Sequence, residues 1–244
     1  TAVGFNALYN STASGNVAVG YQSMYYNTTG INNTSVGYRS LDSNISGSYN
    51  SAFGSKALYN NTASSNNAFG NESLYSNTTG TGNTAIGTGV SGALYGALRF
   101  NTTGSYNVAV GDSALKNNTT ASQSTAVGYQ ALYNNTTGSM TAVGYQALTA
   151  NTTGSDNVAV GWQSMAANTT GYEGVALGNQ TLYSNTTGQR NTALGNNVLR
   201  SNSTGNDNCG VGWYALRVTT GSSNTALGSA AGNAITSGTN NTVA

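Results

Sequence analysis

Along the 244 residues, apolar side chains recur at neither helix nor strand period, but once per 16 or 17 residues. A short pair, a small residue (Ala except Ser35 and Gly210) then an aliphatic or Phe, ends in glycine at Gly4, Gly20, Gly37, Gly54, Gly70, Gly87, Gly111, Gly128, Gly144, Gly161, Gly178, Gly195, Gly212 and Gly228. A second apolar position, Leu or Met, follows four residues after the glycine, as at Leu8, Met24, Leu41, Leu58, Leu132, Leu148 and Met165. The consensus is N-T-A-V-G-Y-Q-A-L-Y-N-N-T-T-G-S. Self-similarity at such a period is the signature of a repeat architecture, in which each copy is one supersecondary unit.

The pattern predicts an all-β protein, a parallel β-solenoid or β-roll of about fourteen coils of 16–17 residues. N-T-A-V-G reads as a short strand, β-branched and small residues between polar turn residues. A-L-Y reads equally as a second strand or as one helical turn. N-N-T-T-G reads as a turn, because Asn tolerates left-handed φ and Gly supplies it freely. A single coil offers two large apolar side chains, at roughly 1.5–3 kcal/mol each. Ordering its residues costs about 1.5 kcal/mol apiece, so coils fold only when stacked. Gly128 and Gly144 should therefore be equivalent on adjacent coils, with Val127 over Val143 and Leu132 over Leu148 inside.

The 24-residue step from Gly87 to Gly111 holds about seven extra residues, placed within 88–96. It reads as a surface insertion, a partial duplication of G-x-x-A-L or a recognition loop. Otherwise residues 1–244 read as one repetitive solenoid. The opening Thr1-Ala2-Val3-Gly4 and closing Asn241-Thr242-Val243-Ala244 both break inside a strand motif, which suggests a segment of a longer fibre.

Composition narrows the function. Charged residues are 5% and net charge is +1, so no basic stripe exists to displace counterions from a nucleic acid. No apolar run is long enough to insert in a membrane as a helix. A polar chain of this kind could be disordered, but 16 Tyr at regular intervals argue for an ordered repeat. The lone Cys209 excludes an internal disulfide framework; it holds a strand position taken elsewhere by Thr or Val and reads as a buried substitute. Histidine is absent and acids are few, so no cofactor, metal site or catalytic residue is assigned, and the chain does not read as an enzyme.

In a solenoid, residues one repeat apart stack, so chemistry belongs to columns. Directly after the glycine come Phe5, Tyr21, Tyr38, Tyr129, Tyr145, Trp162 and Trp213, a column that either contacts a neighbouring protomer or platforms a glycan. Beside it, Gln130, Gln146, Gln163 and Gln180 read as an amide ladder or as a saccharide-binding row. Asp156, Glu173, Arg190 and Asp207 form a charge column. Two carboxylates a coil apart approach the separation of retaining glycosidases, but a solvated charge ladder is the simpler reading. Arg39, Lys56 and Glu72 read likewise. N-T-T recurs at Asn27, Asn77, Asn101, Asn118, Asn135, Asn151, Asn168 and Asn185, each an N-glycosylation sequon on what should be an exterior turn.

The N-x-A-V-G-x-x-A pattern resembles the head repeats of trimeric autotransporter adhesins, which form a left-handed parallel β-roll. It is similar also to repeats of bacteriophage tail-fibre proteins, above all over Asn224-Thr225-Ala226-Leu227-Gly228-Ser229-Ala230-Ala231-Gly232-Asn233-Ala234-Ile235-Thr236. Each coil here is longer than the adhesin repeat by the N-N-T-T-G turn. The resemblance implies an extracellular location, on a virion appendage or a cell surface, and self-association into a fibre, end to end or as a trimer. The expected function is a structural fibre shaft, as in a tail fibre or cell-surface filament. The alternatives are an adhesin module binding surface glycans and an ice-binding solenoid.

Overall fold

The structure, a computed structural model, describes residues 1–89 and 95–244. It is all-β, with no helix among the described residues. Two compact units are present, Thr1–Ser124 and Thr125–Ala244. In the first, β1 (Ala2–Val3), β2 (Val17–Val19), β3 (Thr34–Val36), β4 (Ser51–Phe53), β5 (Asn67–Phe69), β6 (Thr84–Ile86) and β7 (Val108–Val110) pair in parallel, each with the next. In the second, β8 (Thr125–Val127), β9 (Thr141–Val143), β10 (Val158–Val160), β11 (Val175–Leu177), β12 (Thr192–Leu194), β13 (Cys209–Val211), β14 (Thr225–Leu227) and β15 (Thr242–Val243) do the same. Each unit is a parallel β-solenoid with one strand per coil.

Register follows the repeat. Ala126 lies beside Ala142 and Val127 beside Val143, and the Gly144 amide donates to the Val127 carbonyl at 2.7 Å. Successive glycines therefore stack as equivalent positions. Gly144 has φ +135°, and a Cβ there would lie 2.3 Å from the Gly161 carbonyl oxygen, so only glycine allows this approach.

The in–out assignment of the strand differs from the expectation. Val127 and Val143 do stack, but half-exposed on the outer face, while Ala126 and Ala142 are fully buried. Alternation along a strand sends neighbours to opposite faces, so Ala and Val cannot both enter the coil. The interior is filled by one large residue per coil and the small ones beside it, in the strand and just before the Leu or Met, as with Ala142, Ala147 and Leu148. Ala142 with Leu148, Ala159 with Met165 and Ala176 with Leu182 are all at most 1% exposed. Leu132 and Leu148 are inside as the repeat predicts. Cys209, on the outward phase of β13, is half-exposed rather than buried; the interior position of that strand is Gly210.

The A-L-Y segment is neither strand nor helix. It is a chain of turns in which the second and fourth residues after the glycine take left-handed φ, as at Gln146 (53°) and Leu148 (52°). Asp156, in the coil's third corner, does so too (57°). This region is unfavourable for side chains other than Gly, Asn or Asp. Stacking compensates. Gln146 N–H donates to Tyr129 O at 2.9 Å, Leu148 N–H to Ser164 O at 3.0 Å, and Asp156 N–H to Ser139 O at 3.0 Å.

Two columns of buried asparagine complete each unit. In the first, Asn44 Nδ2 donates to Asn27 Oδ1 (2.8 Å), Asn101 to Asn77 (2.8 Å) and Asn118 to Asn101 (2.8 Å). In the second, Asn168 donates to Asn151 (2.7 Å) and Asn185 to Asn168 (2.8 Å). The other column lies just before the strand, where Asn Oδ1 accepts the next coil's backbone N–H, as Asn33 does from Asn50 (2.9 Å) and Asn208 from Asn224 (3.0 Å). Buried amides of this kind are stabilising only while every member is paired. The ladder is interrupted at Asn44 and Asn202, whose Oδ1 atoms have no partner among the described residues; Thr219 stands above Asn202 where Asn would, and Asn61 above Asn44 turns its Nδ2 to Ala63 O at 2.7 Å.

The insertion proposed within 88–96 falls in large part outside the described residues. Gly89 and Gly96 approach closely, a Cβ on the first lying 2.7 Å from the second's nitrogen. Ala97 and Leu98 are fully buried, and Leu74 N–H bonds Ala97 O at 3.0 Å, so the coil resumes in register there. Tyr95 sits against Arg99 and Lys116, whose cationic groups lie 5.1 and 3.9 Å from its ring centre.

Candidate functional site

The surface columns are set by the coil corners. After the anchor glycine the chain turns outward, and the aromatic residue there is half-buried or exposed. Phe5 stacks on Tyr21 and Tyr21 on Tyr38, each at 5.4 Å and within 13° of parallel. Tyr129 stacks on Tyr145 at 5.3 Å, and Tyr145 on Trp162 at 6.4 Å. Stacking of this kind covers ring faces. Tyr145 is thereby enclosed on both sides and presents only its edge and hydroxyl, whereas a sugar ring docks on a face. The next residue in the column above Trp162 is Asn179, which ends the stack.

The glutamines beside them form the ladder the sequence suggested: Gln146 Nε2 donates to Gln130 Oε1 (2.9 Å), Gln163 to Gln146 (3.0 Å) and Gln180 to Gln163 (3.1 Å). Arg200 Nε caps it by donating to Gln180 Oε1 at 3.2 Å.

The sequon asparagines point inward. Asn27, Asn77, Asn101, Asn118, Asn135, Asn151, Asn168 and Asn185 are all fully buried. Seven of the eight donate Nδ2 to the carbonyl three residues ahead, as Asn27 does to Gly30 (3.0 Å) and Asn185 to Gly188 (3.0 Å). An N-linked sugar would occupy that same nitrogen and could not be housed inside the coil, so these positions are structural in the folded chain rather than glycan acceptors. The threonine that follows is part of the stacking too: Thr136 Oγ1 donates to Thr152 O (3.0 Å) and Thr152 to Thr169 O (3.1 Å).

The charge columns resolve into ion pairs. Arg190 grips Asp207 with two hydrogen bonds, 2.7 and 3.0 Å, in full solvent, while Asp156 and Glu173 are exposed. Glu72 pairs not with Lys56 but with Arg99 across the insertion, at 2.8 Å. Arg39 reaches Asp42 at 3.1 Å and lies 4.8 Å from the Tyr59 ring centre. Among the described residues no three His, Cys, Asp or Glu side chains gather.

The two aspartates respond oppositely to their arginines. Asp207 is held below the usual carboxylate range, chiefly by its hydrogen bond from Arg190. Its contribution is present above the unfolded pKa and is lost as pH falls through the depressed one, though solvent screens so exposed a pair. Asp42, with its side chain 2% exposed, is pushed up by burial, and the Arg39 hydrogen bond pulls it only partly back. Arg39 itself is raised by the same bond; the exposed partner gains and the buried partner bears the desolvation. Because the folded pKa of Asp42 lies above the unfolded one, its favourable share is complete below the unfolded pKa and is lost as pH rises through the folded pKa. Asp42→Asn should therefore be at least as stable as the parent at pH 7 and lose that advantage near pH 3. Urea denaturation at both pH values checks this; an advantage of the parent that grows with pH would contradict it.

An apolar column is exposed on the outer face of the strands. Val3, Val19, Phe53, Phe69 and Ile86 in the first unit are 36–57% exposed, and Val160, Leu177 and Leu227 in the second 37–60%. Phe53 and Phe69 stack at 5.0 Å. The sequence reading placed this column in the core, so the face went unrecognised; the signal was the near-invariant small residue before it, which is the one that fits inside. The fold and these columns define the class, a parallel β-solenoid with internal asparagine ladders and an apolar outer strand face. No protein family, curated protein or solved structure matches the chain.

Proposed function

We propose that the chain is a shaft segment of an extracellular fibre, built by self-association along the outer strand face. The single observation that carries this is the apolar column of Val, Phe, Ile and Leu repeating once per coil. Isolated exposed aliphatics need no explanation, but a contiguous apolar patch marks an interaction surface. A partner covering such a column along its length must repeat at the same spacing, and a second copy of the chain does so by construction. The interior ladders suit a load-bearing role, since each coil is tied to the next by backbone and side-chain bonds along the stacking direction. The extracellular placement rests on the resemblance to adhesin and tail-fibre repeats.

Two other readings are weaker on geometry. A glycan row at Tyr129, Tyr145, Trp162, Gln130, Gln146 and Gln163 would use ring faces that stack on one another and amides that bond one another. An ice-binding array would need ordered free hydroxyls on a flat face. Here the Thr136 and Thr152 hydroxyls are spent on the next coil, and Phe53 and Phe69 interrupt the outer strand face. The test is Val143→Lys with Val160→Lys and Leu177→Lys, all outward. The parent should sediment as an oligomer and form filaments by electron microscopy; the triple variant should stay folded by circular dichroism yet sediment as a monomer. A monomeric parent without filaments, or a variant that assembles equally well, would overturn the reading.

A further inference from the structure

One concavity breaks the polar monotony of the turns. It has a volume of about 480 Å³ and is lined by Asn10, Tyr26, Thr28, Ser43 and Ile45, drawn from three successive coils of the first unit. Ligand pockets commonly measure about 300–1,000 Å³. Two of the lining residues depart from the repeat. The position of Ile45 is Thr or Ser in every other coil, and the position of Tyr26 holds Asn or Ser in the coils on either side, at Asn10 and Ser43. Both are large and half in water, Tyr26 at 50% and Ile45 at 53% exposure, although the stacking of coils requires neither. Tyr26 is held from behind by an edge-on contact with Tyr25 at 4.7 Å, and Tyr25 is itself stacked on Tyr9 at 5.4 Å.

The polar groups on the wall are neutral and partly uncommitted. Asn10 spends Nδ2 on Tyr25 O (3.0 Å), which leaves Oδ1 as an acceptor. Thr28 spends its proton on Ile45 O (3.0 Å). Among the described residues, the hydroxyls of Tyr26 and Ser43 find no hydrogen-bond partner. Among the described residues no charged side chain lines the hollow; the nearest along the chain, Asp42, is turned inward to Arg39. An anionic or cationic ligand would find no counter-charge. An aromatic and an aliphatic surface beside three neutral hydrogen-bonding groups matches a ring with one apolar face and a rim of hydroxyls.

We infer that the Tyr26–Ile45 hollow is a binding site for a neutral hexopyranose. This stands apart from fibre assembly, because none of the lining residues belongs to the outer strand face, and either idea can fail alone. The test uses the full chain and saturation-transfer NMR, which tolerates large assemblies, with methyl β-D-glucopyranoside, methyl β-D-galactopyranoside and methyl α-D-mannopyranoside as probes. The comparison is the double variant Tyr26→Ser with Ile45→Thr. Both substitutions install residue types that neighbouring coils carry at the same positions, so the coil is expected to fold, and circular dichroism verifies it. At least one glycoside should give saturable transfer to its ring protons with the parent, and that transfer should fall at least tenfold in the folded variant. No transfer from any of the three, or equal transfer with parent and variant, would overturn the proposal. So would transfer confined to an apolar control such as n-hexanol, which would mark a hydrophobic pocket instead.

Discussion

Replacing Gly144 by Ala should cost about 3 kcal/mol or more. Two penalties coincide there. The residue sits at φ +135°, and the new Cβ would lie 2.3 Å from Gly161 O, a backbone atom of the next coil. The coil cannot relax by a rotamer change; strands β9 and β10 would have to separate. Gly228→Ala supplies the control, because φ is +130° but the nearest heavy atom to the added Cβ is 3.9 Å away. It should lose only the conformational share, about 1–3 kcal/mol. Hydrogen exchange of the flanking strand amides, with urea denaturation of the whole chain, reads both. Equal losses would show that the close approach of stacked glycines contributes nothing.

Asn168→Ala should come second, at about 3 kcal/mol. It removes donation to Asn151 Oδ1 (2.7 Å) and to Gly171 O (3.1 Å), and takes from Asn185 Nδ2 its 2.8 Å acceptor, leaving only the bond to Gly188 O. Each buried group left unpaired costs about 1–3 kcal/mol, and the terms are not additive. Asn168→Asp keeps the shape and the acceptor but buries a charge without the donated bonds, so it should be no better than Ala at pH 7 and should recover as the carboxyl protonates in acid. An alanine variant within about 0.5 kcal/mol of the parent would mean that the asparagine column is incidental.

Much of this architecture was legible in the repeat. The recurrence of Gly128, Gly144 and Gly161 gave the coil length and its parallel stacking, and the run of Gln130, Gln146, Gln163 and Gln180 gave the amide ladder directly. Two things were not. The strand is three residues long, too short for alternation to reveal its phase, and larger side chains were assumed to be the buried ones. Within the strand of so narrow a coil the opposite holds: Ala142 faces inward beside the buried Leu148, and Val143 faces outward. The asparagines misled for a related reason. Asn in N-T-T reads locally as a surface turn and as a sequon, whereas its actual partners, such as Asn151 for Asn168, lie one coil away and appear only when the coils are stacked. The hollow at Tyr26 and Ile45 is a departure from the repeat, and columns read for their consensus conceal departures.

The most direct test of a shaft made of stacked coils is X-ray fibre diffraction from aligned filaments of the purified chain. If the coils stack along the fibre, strands lie across its axis, and a strong meridional reflection should appear at about 4.8 Å, the spacing of hydrogen-bonded strands. The triple lysine variant on the outer strand face should give no alignable filaments. A reflection at that spacing lying on the equator instead of the meridian, or filaments with no such reflection, would contradict the account.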